Sequence, residues 1–156
     1  DLVQGSPAQR RRFLDILISQ VDRAYLRTLQ RYQRVVSQRN HLLRNVRDGR
    51  SNEGELEFWD AELVKEGVAI ITRRDHVVGQ LAPLAMQTYA GLAGNREELS
   101  VAYQPAVPAP ELERVVKEQR EREVIEQLTT QNAGPLTAAA VADIFNRIMA
   151  EARSLE

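Results

Sequence analysis

Cysteine is absent from the 156 residues. That excludes disulfide frameworks, thiolate metal sites and cysteine nucleophiles, and it fits a reducing, cytoplasmic setting. Lysine is almost absent too: Lys65 and Lys117 are the only two, so 19 of the 21 cationic residues are arginine. Aromatic residues make up only 5%. No window approaches the roughly 18 uninterrupted apolar residues of a spanning helix, so no membrane association is expected. No basic stretch leads into an apolar core, so no signal peptide is expected. There is no Gly-Lys pair, which removes the phosphate-binding P-loop, and the eight glycines never form G-x-G-x-x-G. His41 and His76 stand alone, without a second histidine or a carboxylate three or four residues on, so no metal site is expected.

What is present is segregated charge. The net charge of the chain is -1, but residues 1–50 carry 11 Arg against 4 Asp, a net of +7. Residues 51–107 carry a net of -5 and residues 108–156 a net of -3. Arginine prefers bidentate contacts to phosphate or carboxylate, and crowding in the first third gives that segment a distinct electrostatic character.

Apolar residues, 43% of the chain, fall at helical spacing almost throughout. Pro7 suits the first turn of a helix that presents Phe13, Leu14, Leu17, Ile18 and Val21. A second helix over 23–46 carries the stripe Tyr25, Leu29, Tyr32, Val36, Leu43 and Val46. On that helix Arg23, Arg27, Arg31 and Arg34 fall within about 80° of one another on the opposite face. Residues 48–54 form a turn. A third helix from Glu55 shows a heptad-like seam of Leu56, Trp59, Leu63, Ile70, Val77, Leu81 and Leu84. Two long amphipathic helices joined by a short turn predict an antiparallel hairpin.

Pro83 is expected to kink or interrupt the third helix. Residues 99–103 alternate and read as one short strand that lacks partners. Pro105, Pro108 and Pro110 mark a linker. A charged helix over 111–131 ends at the turn around Gly134, and Thr137 is the expected N-cap of a last helix. That helix carries Val141, Ile144, Phe145, Ile148, Met149, Ala152 and Leu155. The expected fold is mainly α: about five helices, an antiparallel long-helix hairpin arm plus a C-terminal helix pair, and at most one or two short strands.

Residues 1–107 resemble the RecF family of bacterial DNA recombination proteins. Asp1, Leu2, Val3, Gly5 and Pro7, followed by Arg11, Arg12, Phe13, Leu14 and Asp15, carry the strongest match. Tyr32, Gln33 and Arg34, then Gln38, Arg39 and Asn40, match the next block. Trp59, Asp60, Gly67, Arg73 and Arg74, then Leu81, Ala82 and Pro83, then Tyr103, Gln104 and Pro105, follow in order. The resemblance implies the helical arm of an SMC-like DNA-repair ATPase, with the strand after the arm belonging to the ATPase sheet. The ATP-binding motifs of that family are absent here, so neither ATP nor any other cofactor is expected.

Residues 120–156 resemble the second and third helices of an AroQ-type chorismate mutase, through Arg120 to Glu123, the turn from Asn132 to Thr137, and Ile144, Phe145, Ile148 and Met149. That resemblance implies that Arg120 binds a substrate carboxylate, Glu121 a hydroxyl, and Glu156 the ether-oxygen region. The first helix of that family has no counterpart, which leaves the site incomplete. The two resemblances meet near 121–126, giving a chimera-like reading in which 108–119 is linker and helix start.

Three functions follow as expectations. The first is a non-catalytic arm that binds DNA or a recombination protein through Arg10, Arg11, Arg12, Arg23, Arg27, Arg31 and Arg34. The second is chorismate-to-prephenate isomerisation. The third is a helical module that forms homo-oligomers through the seam from Leu56 to Leu84.

Overall fold

The computed structural model describes residues 5–94, 97–134 and 136–153, except for the side chains of 149 and 151–153. It contains five α-helices among these residues: α1 Pro7–Val21, α2 Arg23–Arg47, α3 Glu55–Ala93, α4 Leu112–Gln131 and α5 Ala138–Arg153. A short 3-10 turn, Ala109–Glu111, leads into α4.

Local chemistry sets the boundaries. Ser6 and Gln9 form a reciprocal capping box at the start of α1, with Pro7 in the first turn. The chain breaks at Asp22, whose carboxylate accepts from the backbone N–H groups of Ala24 at 2.9 Å and Tyr25 at 3.0 Å and so starts α2. After α2, Gly49 adopts φ +69, a left-handed conformation that favours glycine. The N–H of Gly49 then donates to the Val46 carbonyl and that of Arg50 to the Asn45 carbonyl, closing the helix end. Thr137 caps α5 as its position predicts, its hydroxyl accepting from the Ala140 N–H at 3.2 Å.

The centre of the fold is the antiparallel pair α2 and α3, against which α1 and α4 dock; α5 packs on α4. Two apolar clusters hold the pair. Near the base, Ile18, Tyr25 and Ile70 are buried, flanked by Leu14, Leu29, Tyr32 and Val77. Near the tip, Leu42, Val46 and Leu56 are buried, flanked by Leu43 and Trp59. Val116 and Val124 bring α4 onto this frame. Gly67 permits the approach, because a Cβ there would lie 2.7 Å from Leu112 Cδ2. Trp59 is therefore partly buried as its stripe implies, whereas the side chain of Met149 and all of Leu155 lie outside the described residues.

Three expectations change. Residues 99–103 form no strand, because no described segment offers them a partner ladder. Pro83 does not interrupt α3. The carbonyl that loses its donor belongs to Gly79, which is exposed and open to water, so the cost is small enough for the helix to continue. The heptad-like seam also outruns its partner: α3 has 39 residues and α2 has 25. At 1.5 Å per residue α3 extends about 20 Å further, and Leu81 and Leu84 on the overhang are 39% and 61% exposed.

Candidate functional site

The arginines of the first third separate into two populations. Arg10, Arg11, Arg12, Arg23, Arg27 and Arg34 are exposed, and none has a carboxylate partner among the described residues. Arg23, Arg27 and Arg34 share the outward face of α2, while Arg10, Arg11 and Arg12 ride the first half of α1. Arg31 belongs to the second population. Its Nε sits 2.9 Å from Oε1 of Glu66, a carboxylate on α3 whose side chain is only 3% exposed. It lies at the flank of α2 beside α3, so its guanidinium ties the hairpin together.

Arg39 is the most enclosed of all. It is buried and donates from Nε to Oδ1 of Asp60 at 2.6 Å. Its Nη2 lies 3.9 Å from Oε2 of Glu123 on α4. Arg120, also on α4, points back to Oδ2 of Asp60 at 3.5 Å and to Glu57 at 3.9 Å. Asp60 therefore stands between two guanidinium groups from different helices, and the cluster fastens α4 to the hairpin. Two amide contacts extend the joint: Gln127 donates to the Val46 carbonyl at 2.8 Å and Gln131 to the Arg47 carbonyl at 2.6 Å.

A second polar cluster fixes α1. Arg74 on α3 holds both oxygens of Asp15, from Nε to Oδ1 and from Nη2 to Oδ2, each at 2.9 Å. The Tyr25 hydroxyl donates to Asp15 at 2.5 Å. Burial, then the bond to the Asp15 carboxylate, pushes that hydroxyl well above its ordinary pKa, so it stays protonated as a donor. At the joint between α1 and α2, Arg73 lies 2.9 Å from Asp22.

The buried charges Arg39, Asp60 and Glu66 escape a search for exposed basic faces, yet they leave a trace. The α2 stripe jumps seven residues from Val36 to Leu43, and Arg39 fills the vacant helical step. The α3 seam jumps from Leu63 to Ile70, and Glu66 and Gly67 fill that gap. A charge standing where a stripe calls for an apolar residue is the sign of a buried partner.

Two clefts border these clusters. One, of about 430 Å³, lies between the end of α2 and α4, with Arg44, Arg47, Glu123, Glu126 and Gln127 in its lining. The other, of about 630 Å³, lies between α1 and α2, with Arg11, Arg12, Ile16, Leu26, Leu29 and Gln33 in its lining. Arg120 and Glu121, the residues that the chorismate mutase resemblance implicates, line neither cleft. Arg120 is engaged with Asp60, and Glu156 lies outside the described residues.

Fold and site define a helical hairpin with a basic outer face and with α4 packed across it, its charges 3.5 to 3.9 Å from the buried Arg39–Asp60 pair. Comparison with known proteins gives that hairpin a relationship. The chain is 49% identical over 125 residues to the DNA replication and repair protein RecF of Moorella thermoacetica, covering 79% of this chain and 33% of that protein. It is 40% identical over 136 residues to RecF of Heliobacterium modesticaldum, covering 82% of this chain and 37% of the relative. With RecF of Herpetosiphon aurantiacus the identity is 42% over 133 residues, covering 80% and 34%. The chain therefore carries a RecF-like segment and spans about a third of the length of the curated relatives it matches. An aligned stretch of 82% of the chain crosses residues 121–126 wherever it begins, so the RecF similarity continues into α4 through the place where a join was expected. No protein-family model matches the chain, and no solved structure matches it.

Proposed function

We propose that this segment is a DNA-contacting arm of a RecF-like repair protein, and that Arg23, Arg27 and Arg34 on the outward face of α2 meet the phosphate backbone. The observation that carries the reading is the division among the arginines. Arg31 and Arg39 on the same helix are held by carboxylates, whereas these three have no such partner among the described residues. Guanidinium groups without a carboxylate partner are ready to replace counterions on a polyanion. Arg10, at the start of α1, adds to the same basic field. The RecF name of the relatives supports a DNA-repair setting. In this reading the segment supplies contact surface and no nucleotide chemistry.

Three phosphate contacts imply a log-log salt slope of about -2.7 on duplex DNA, and a Kd in the nonspecific range of roughly 1 to 100 μM at physiological salt. The test is fluorescence anisotropy with a labelled duplex at several salt concentrations. Arg27→Glu with Arg34→Glu is expected to weaken binding and to flatten the slope. Unchanged affinity and slope in that variant would remove the physical basis of the reading.

A further inference from the structure

We propose that the cleft between α1 and α2 is a docking site for an acidic amphipathic peptide segment of a partner protein. Arg11 and Arg12 take its carboxylates, and Ile16, Leu26 and Leu29 take its apolar side chains. The site is distinct from the outward face of α2. Leu26, Leu29 and Gln33 lie about 80°, 140° and 100° around that helix from the centre of the group formed by Arg23, Arg27 and Arg34, at 100° per residue.

The cleft combines features that a simple solvated surface does not need. Its volume is about 630 Å³. Ile16 and Leu26 in its wall are 51% and 37% exposed. Arg11 and Arg12 belong to its lining and have no carboxylate partner among the described residues. Arg74 lies behind them, but Asp15 already holds it with both oxygens and keeps it from competing for the ligand. The hydroxyl of Ser19, also in the lining, is buried and has no hydrogen-bond partner.

Charge and apolar surface together select the occupant. Carboxylates match guanidinium groups in bidentate geometry. A phosphodiester backbone would satisfy Arg11 and Arg12 but has no apolar group to lay on Ile16, Leu26 and Leu29. A peptide that alternates acidic and apolar side chains satisfies both, in the manner of a helix or extended segment seated in a groove.

The test is display selection of random peptides on the full chain, followed by fluorescence anisotropy of the enriched sequences. The expected peptides carry Asp or Glu beside Leu, Ile or Phe. Arg11→Glu with Arg12→Glu should weaken them by at least about tenfold, the loss of two charge-assisted contacts. Ile16→Asp should weaken them as well, and Arg23→Glu with Arg27→Glu should leave them unaffected. Thermal unfolding of each variant verifies the fold.

Three results overturn the proposal: no enrichment over the Arg11/Arg12 double variant, enriched peptides that bind that variant equally well, or enriched peptides without acidic residues. A DNA oligonucleotide that displaces the peptide and depends on Arg11 and Arg12 assigns the cleft to nucleic acid and overturns it too. Because the DNA reading is tested on Arg27 and Arg34, the two can fail separately.

Discussion

Asp60→Asn is the substitution that tests most directly how α4 is held. It keeps the shape of the side chain and one acceptor for Arg39, but removes the negative charge between Arg39 and Arg120. Arg39 and Asp60 have side chains only 5% and 12% exposed, so solvent does little to screen the loss. The remaining carboxylates are farther away, with Glu123 at 3.9 Å from Arg39 and Glu57 at 3.9 Å from Arg120. Breaking a buried pair by neutralising one member costs about 3 to 5 kcal/mol, because a charge is left buried without compensation. The retained Asn acceptor places the expected loss near 3 kcal/mol, at the low end of that range. For a chain of this size each kcal/mol lowers Tm by about 2 to 4 °C, so a fall of roughly 6 to 12 °C is expected in calorimetry. Amide exchange should quicken along α4 more than along α2. Arg39→Met with Asp60→Leu should recover most of the loss, since an apolar pair of similar volume avoids the desolvation cost. A loss below about 1 kcal/mol for Asp60→Asn would refute the reasoning, because that is the range of an exposed pair.

Leu56→Ala removes a side chain that is 0% exposed and should cost about 2 to 5 kcal/mol in denaturant unfolding. Gln127→Ala removes the donor to the Val46 carbonyl and should cost about 1 kcal/mol, read as a lower urea midpoint at unchanged m-value. Asp22→Asn should flatten the acid limb of the stability curve. The bond from the Tyr25 N–H is the largest effect and holds the Asp22 carboxyl below its ordinary pKa; burial opposes it, and the Arg73 charge and the Ala24 N–H add to it. Its contribution is therefore complete above about pH 4 and is lost as pH falls through the lower folded-state value. An equally steep acid limb in Asp22→Asn, in urea titrations from neutral to acid pH, would contradict this.

The helices, the Pro7 start, the turn around Gly49 and the Thr137 cap were legible in the sequence because their causes are local; the Ser6 capping box, the Asp22 cap and the passage of α3 through Pro83 came from the structure. Pro7, Gly49 and Thr137 act within four residues of where they stand, and the 3.6-residue period of apolar side chains needs no distant partner to be recognised. The hairpin was legible for the same reason: a short turn between two amphipathic helices leaves them little choice but to pair. The basic outer face of α2 was visible as a cluster of arginines, but its division was not. Arg31 and Arg34 look alike in sequence, and only the approach of Glu66 from α3, 35 positions on, separates the held one from the other.

What the sequence by itself determined is the set of helices, their amphipathic faces and the segregation of charge, since each depends on neighbours along the chain. Tertiary structure decided the rest. It turned Arg39 and Asp60 from apparent surface charges into a buried pair between α2 and α3 that α4 packs against. It left the overhanging seam of α3, Leu81 and Leu84, partly exposed beyond the start of α2. It left residues 99–103 without a sheet to join. It brought Arg11, Arg12, Ile16 and Leu26 around one cleft. Each outcome depends on which helix arrives opposite a given face, and burial, ion pairing and cleft shape are properties of two surfaces, whereas periodicity describes only one.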